Sequence, residues 1–407
     1  MAVINRRMWL GGAVGGFFAY AQRNQLDGAL RAAPRAAAKR CVVLWMNGGP
    51  SQIDTFDPKP GDSTAGEFQP ISTAAPGVAI SETLPHLAKQ MDSLAVIRNL
   101  TSSEGEHERG QYYLHTGFQF VPGFPRPALG SVVSHESEPT DFPRFVSIGS
   151  RGFGPAYMGP DHAPFAIENP EQALQLMRSI RRRSKRLSLL QDLGETFDSR
   201  RPVAMVQRRR SMVSRVQSLV STPFVDAFDI ERVSQRERNR YGGGPSGRAC
   251  LIARRLLETG VNFVEVQQDG WDTHQNNFRR TRELCEAIDR PWAALIEDLK
   301  SSGLWEETIV LWMGEFGRTP NINAQRGRDH FPQVTPAVIG GGGLRGGLTI
   351  GKTSRTGLEI DGASHQVADL FATVFKSLGI DPAAQFTTGF DSPTAATNKG
   401  VVIDELF

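Results

Sequence analysis

Histidine and carboxylate residues of this chain gather in a few loops rather than along apolar faces. They fall into four groups: His107 with Glu108; Asp269, Asp272 and His274; Glu315; and Asp329 with His330. Imidazole and carboxylate together suit Zn²⁺, Mn²⁺ or Fe²⁺, because imidazole selects borderline ions while carboxylate also tolerates harder ones. A site built only for Ca²⁺ or Mg²⁺ needs oxygen ligands and has little use for so many imidazoles. A single histidine is more often a hydrogen-bonded structural residue than a ligand, but three or four of them after successive strands point to a shared site. Arg109, beside His107, and Arg318, beside Glu315, are the candidates for neutralising a bound oxyanion. Arg109 falls at the start of an expected helix, where free backbone N–H groups favour anions. A structural salt bridge explains either arginine equally well.

These groups must be positioned by the elements around them. Residues 41–46 (CVVLWM) form a continuous apolar run stopped by Asn47-Gly48-Gly49-Pro50, which predicts a strand buried on both faces, as in a parallel sheet. The pattern recurs at 261–266 (VNFVEV), after a helical stretch over 248–259 and Gly260, and at 308–313 (TIVLWM), after a helical stretch over 282–299. A fourth run, 335–339 (TPAVI), ends in four glycines. Strands alternating with helices imply an α/β fold with a mostly parallel sheet covered by helices on both faces, and a ligand site at the carboxyl ends of the strands. Helix is also expected over 110–115. The stretch 171–240 differs in kind, with few glycines, many arginines and apolar residues at helical spacing (Leu187, Leu190, Leu193; Met212, Val216, Leu219), and reads as a helical insertion or cap.

Composition sets wider bounds. With 407 residues and 39% hydrophobic content the chain can bury a large core. Its formal charge of +3 is uneven: residues 171–240 carry 16 Arg and Lys against 8 Asp and Glu, and residues 1–40 carry 7 against 1, so the remainder is acidic. The runs Arg181-Arg182-Arg183 and Arg208-Arg209-Arg210 lack interleaved aromatic residues and read as solvated helix faces, with no nucleic-acid partner expected. Cys41, Cys250 and Cys285 are scattered and odd in number, which argues against a disulfide scaffold. Asn5-Arg6-Arg7-Met8-Trp9-Leu10, a short Gly/Ala/Phe run and Ala19-Tyr20-Ala21 have the layout of a signal peptide over residues 1–21, and the paired arginines resemble a twin-arginine signal. A linker over 22–40 and a mature domain over 41–407 follow from this, outside the cytoplasm and without a membrane span. The glycine run 340–343 lacks the Lys-Ser/Thr step of a phosphate-binding loop and reads as a flexible loop.

Several longer runs carry a family resemblance: NGGPSQIDTFDPKP (47–60), HERGQYYLHTGF (107–118), RYGGGPSGRACLIARRLLETGVNFVEVQQDGWDTHQNN (240–277), GEFGRTP (314–320) and GRDHFPQVTPAVIGGGGLRGG (327–347). In this order and over almost the whole mature chain they resemble the domain-of-unknown-function 1501 family, which in turn resembles the alkaline-phosphatase and sulfatase superfamily. The resemblance implies an alkaline-phosphatase-like core. It implies metal ligands at Asp272 and His274 (with Asp269 as an alternative) and at His330, with Glu315 standing where that superfamily has an Asp-His pair and Asp329 beside it. The first strand ends in Asn47 where active members usually place an Asp, leaving Asp54 or Asp57 as substitutes. Counting back from Leu114-His115-Thr116-Gly117 puts His107 near the nucleophile position, with Ser102 and Ser103 as further candidates. The stretch 364–379 matches the late helix of that superfamily.

The expected site therefore has His107, Arg109 and Arg318 as catalytic residues and Asp54, Asp272, His274, Glu315, Asp329 and His330 as metal ligands. The cofactor implied is a divalent metal, with Zn, Mn and Ca as candidates once the superfamily is considered. The corresponding function is an exported, periplasmic, metal-dependent hydrolase of phosphate or sulfate esters, whose partner is a small anionic ester or a sulfated or phosphorylated substrate. A non-catalytic envelope binding or scaffold protein of the same fold, with envelope protein partners, is the alternative, and a mutase or lyase is a third reading.

Overall fold

The computed structural model describes residues 38–182, 206, 219–220, 223–387 and 393–407. The expected signal segment, the linker up to residue 37, Arg183, the arginine run at 208–210 and the apolar positions at 187–216 lie outside the described residues.

One eight-stranded sheet organises the chain. Its strands, numbered in chain order, are β1 (Arg40–Asn47), β2 (Leu94–Ile97), β3 (Phe145–Ile148), β4 (Phe165–Ile167), β5 (Phe263–Asp269), β6 (Thr308–Met313), β7 (Ala337–Gly341) and β8 (Leu348–Ile350). Their spatial order is β8-β2-β7-β6-β1-β5-β3-β4. Strand β1 lies between β6 and β5, parallel to both, and only β7 runs against its neighbours. The mostly parallel α/β sheet expected from the sequence is thus present.

The apolar runs lack alternation because both faces are covered. On β1, Val42, Leu44 and Met46 enter one hydrophobic cluster, while Cys41, Val43 and Trp45 enter another on the opposite face. The first cluster packs against helices Pro245–Glu258 and Asn277–Ser301, and the second against helices α1 (His107–Thr116), α2 (Leu129–Glu136) and the late helix Val367–Ser377. A residue with no exposed face must be apolar on every side, so the strand reads as a continuous run. Helix α1 starts earlier than the expected residue 110, because the Glu106 side chain accepts the backbone N–H groups of Glu108 and Arg109 and closes the first turn. The last strand run begins at Ala337 rather than Thr335, whose N–H is taken by Leu100.

In the described parts of 171–240, helix Pro170–Arg182 buries Met177, and Phe224 and Val225 of the short helix Pro223–Ala227 enter the core. Its arginines largely meet carboxylates: Arg178 and Arg232 both reach Asp229, and Arg240 reaches Asp298 at 2.6 Å and Glu297 at 3.0 Å. No described helix is long and apolar enough to cross a membrane.

Asp54 and Arg328 form a fully buried ion pair, with Nε at 2.7 Å and Nη2 at 3.0 Å from the two carboxylate oxygens, and Asn277 donates to the same group. Removing one partner of such a pair leaves an uncompensated buried charge, at a cost of about 3–5 kcal/mol. Asp54→Asn should therefore lower unfolding stability by an amount of that order in urea titrations. A change of a few tenths would show that the pair is not holding the loop after β1.

Candidate functional site

Topology brings the sequence-predicted loops to one edge of the sheet. Strands β1, β5 and β6 all end there, at Asn47, Asp269 and Met313. Because β7 is reversed, its first residue, Ala337, pairs with Met313, so the loop that precedes it delivers Asp329 and His330 to the same edge. The chain that leaves β2 enters α1 at His107 beside them.

Three histidines meet at one carboxylate. His107 Nε2 lies 3.5 Å from Asp272 Oδ2, while His274 Nε2 and His330 Nε2 lie 3.2 and 3.5 Å from Asp272 Oδ1. Each imidazole is fixed at its other nitrogen. His107 Nδ1 is 2.8 Å from Glu315 Oε1, His274 Nδ1 is 2.8 Å from Asp329 Oδ1, and His330 Nδ1 donates to the Gly105 carbonyl at 2.8 Å. An acceptor at every Nδ1 holds a ring proton there and turns each Nε2 toward Asp272. His274 Nε2 and His330 Nε2 are only 2.9 Å apart, so either a proton or a cation must lie between their lone pairs.

Asp272 and His107 are strongly polarised by this setting. Burial opposes ionisation of Asp272, but hydrogen bonds from His107, His330 and Arg318 outweigh it and hold the carboxyl far below the usual carboxylate range. Asp272 and then Glu315 raise the His107 imidazole to about 9, against a smaller opposing effect of burial. The His274 contact holds Asp329 low. Phe316 packs against the rings of His107 and His330, with centroids 5.2 and 4.5 Å away, and closes one side.

Arg318 is 0% exposed and sits beneath the cluster. Its Nη2 donates to Asp272 Oδ1 at 2.5 Å and to the Gly48 carbonyl, Nε donates to the Gly49 carbonyl at 2.9 Å, and Nη1 to the Arg328 carbonyl at 3.2 Å. Burial pulls its pKa down against the opposing pull of Asp272. Gly48 has φ +116°, and a Cβ there would collide with the backbone between Trp271 and Asp272, so this turn requires glycine.

Of the residues expected from sequence, His107, Asp272, His274, Glu315, Arg318, Asp329 and His330 are brought together. The group His107, Asp272 and His330 meets the spacing of a metal-ion site. Glu315, 0% exposed, stands behind His107; its Oε1 also accepts the Gly48 N–H at 2.8 Å, and its Oε2 is buried without a partner among the described residues. Two residues are placed elsewhere. Asp54 is taken up by Arg328, and Arg109 is 60% exposed, 3.3 Å from Glu104 and 3.9 Å from Glu106. Asp57, the alternative to Asp54 as a substitute for the carboxylate missing at Asn47, binds Lys59 and Arg98. The orienting carbonyl of Gly105 and the Gly48 N–H were invisible in the sequence, because backbone groups carry no residue-type signal.

The fold and the site together define an α/β protein with a histidine-carboxylate cluster at the carboxyl edge of a mostly parallel sheet. The family model described as "Protein of unknown function (DUF1501)" matches residues 38–407, and the chain belongs to that family. No curated protein matches it. Among solved structures it is similar to the lipoteichoic acid synthase LtaP from Listeria monocytogenes, at 9% identity over 86% of this chain and 75% of that one, with a TM-score of 0.40. It is also similar to the phosphonate monoester hydrolase of Agrobacterium radiobacter (10% identity, 90% and 77% covered, TM-score 0.40) and to the C-terminal periplasmic domain of EcEptC from Escherichia coli, in complex with Zn (10%, 86% and 86%, 0.38).

Two measurements check this geometry. In chelator-treated protein, histidine-resolved NMR should show His107 titrating near pH 9. Because its folded pKa is raised, its contribution to stability should be complete below about pH 6.5 and fade as pH rises through about 9. Titration at the ordinary histidine value would mean that Asp272 and Glu315 do not hold it. Separately, Arg318→Met should lower stability by about 3–5 kcal/mol in denaturant unfolding, since Asp272 and three loop carbonyls lose their donor. A neutral result would show that water replaces the guanidinium at no cost.

Proposed function

We propose that the protein is an exported, metal-dependent hydrolase of phosphate or sulfate esters built on an alkaline-phosphatase-like core. The observation that carries this reading is the convergence of three Nε2 atoms on Asp272 with every Nδ1 already engaged. Ligands about 2.1 Å from a tetrahedral ion stand about 3.4 Å apart, and those around an octahedral ion about 3.0 Å. The Asp272-to-imidazole distances of 3.2 to 3.5 Å fall on or near that range. Three imidazoles and one carboxylate favour Zn²⁺, Mn²⁺ or Fe²⁺ over Ca²⁺.

In this reading His107, Asp272 and His330, with His274, hold the ion, and a bound ion supplies Lewis acidity toward a phosphoryl or sulfuryl oxygen and lowers the pKa of a water. Glu315, Asp329 and the Gly105 carbonyl orient the three rings. His107 is thereby a ligand rather than a nucleophile. Ser102 Oγ accepts the Glu104 N–H at 3.2 Å and Ser103 Oγ accepts from Gln119 at 2.7 Å, and among the described residues neither hydroxyl is hydrogen-bonded to a histidine of the cluster; this reading takes water as the attacking group. Arg318 keeps Asp272 ionised from below and is too deeply buried to meet a substrate. Arg109, exposed at the start of α1 beside Glu104 and Glu106, is a guanidinium within reach of solvent. The twin-arginine-like start of the chain supports a periplasmic or otherwise exported location, with residues 1–21 as signal, 22–40 as linker and 171–240 as a helical cap.

Asp272 already has a cationic partner in Arg318, an observation that favours a second reading in which the cluster is a metal-free recognition surface of an envelope binding protein. Elemental analysis of chelator-free protein, paired with a panel of simple phosphate and sulfate esters, separates the two. The hydrolase reading expects near-stoichiometric metal and turnover, with metal lost in His107→Ala, Asp272→Ala and His330→Ala while circular dichroism stays native. A folded, metal-free and inactive wild type would overturn it in favour of the second.

A further inference from the structure

A row of three amide side chains around one carboxylate adjoins the histidine cluster. Asn47 at the end of β1 pairs in register with Asp269 at the end of β5, and Trp45 pairs with Gln267. Side chains alternate along a strand, so Asn47, Gln267 and Asp269 project from one face of the sheet, the face that α1 covers. Gln111 stands one turn beyond His107 on α1 and donates its amide to Asn47 Oδ1 at 2.9 Å. Asn47 in turn donates to Asp269 Oδ1 at 2.8 Å, and Gln267 donates to that same oxygen at 2.7 Å. All four residues are partly or fully exposed. They form a shelf that begins one helical turn from His107 and three residues before Asp272.

The chemistry of the shelf restricts what it can hold. Asp269 meets two amides and no arginine or lysine among the described residues. The nearby guanidiniums are committed: Arg318 to Asp272 and three carbonyls, and Arg280 to the carbonyls of Gly270 and Asp272, both at 2.9 Å. A second anionic group on the ligand would meet the Asp269 charge with no cation to offset it. The shelf instead offers amide oxygens, the second Asp269 oxygen and the remaining amide hydrogens, a mixed set of acceptors and donors that hydroxyl groups satisfy in both senses. One carboxylate among three amides suits neutral hydroxyls better than an ammonium group, which would call for more negative charge.

We infer that this shelf binds the hydroxyl-bearing portion of the ester, so that the substrate is a polyol or sugar ester whose reacting group lies at His107 and Asp272. The inference rests on the hydrolase reading for its reacting group but not for its binding chemistry. The test compares glucose 6-phosphate and glucose 6-sulfate with phenyl phosphate and phenyl sulfate, using full-length wild type, Gln111→Ala and Asp269→Ala. The expected result is a preference for the glucose ester in the wild type, with the ratio of kcat/KM for glucose ester over phenyl ester falling roughly tenfold in each variant, the loss of about one hydrogen bond. Ligand-observed NMR of free glucose, with and without chelator, reads the shelf without turnover: broadening with wild type and its loss in Asp269→Ala are expected. Glucose binding without hydrolysis of any ester would sink the hydrolase reading and leave the shelf standing. Turnover with an unchanged ratio, no broadening by glucose, or a preference for phosphoethanolamine over both esters would each overturn the polyol assignment.

Discussion

The guanidinium of Arg318 is where three loops from different strands are tied together. It takes the carbonyls of Gly48 and Gly49 after β1, the carboxylate of Asp272 after β5, and the carbonyl of Arg328 on the way to β7, while its own backbone follows β6. A planar fork of five donors is the one side chain able to satisfy that many acceptors in fixed directions, and lysine could not substitute. Its charge also allows Asp272 to remain ionised at the centre of the site. The histidines can converge only because this carboxylate is held still.

The single reversed strand has a comparable structural consequence. If β7 ran parallel to β6, the loop containing Asp329 and His330 would enter at the opposite edge of the sheet, a full strand length from Asp272. Reversal places the start of β7 beside the end of β6 and lets one edge collect groups from β1, α1, β5, β6 and the loop before β7. Rigid strand ends then limit the motion of the loops, and a second layer of partners, Glu315, Asp329 and the Gly105 carbonyl, fixes each ring. Outer partners of this kind set both the tautomer and the direction of a ligating histidine.

Asp54 illustrates how a sequence position can mislead. It follows the first strand closely, as a ligand at that edge might, but the chain turns it inward to a buried pair with Arg328. Arg328 in turn is 0% exposed and donates to the carbonyls of Thr319, Pro320 and Thr64, so the pair braces the loops beneath the site. Arg109 shows the converse, since its place at a helix start is as expected but its side chain turns outward to Glu104.

The sequence alone determined the α/β class, because strands such as 41–46 and 308–313 are apolar at every position and only a doubly covered sheet removes both faces from water. It also marked the loops that meet at one edge of the sheet, since glycine and carboxylate follow those runs at once. Tertiary structure decided which of the candidate residues meet. Distance along the chain says nothing about whether His107 and Asp272 touch, and the roles of His107, Asp54 and Arg318 depend on burial and on which partner each side chain finds. Backbone contributors, such as the Gly105 carbonyl and the Gly48 N–H, have no signature in residue type, so only the folded arrangement could reveal them.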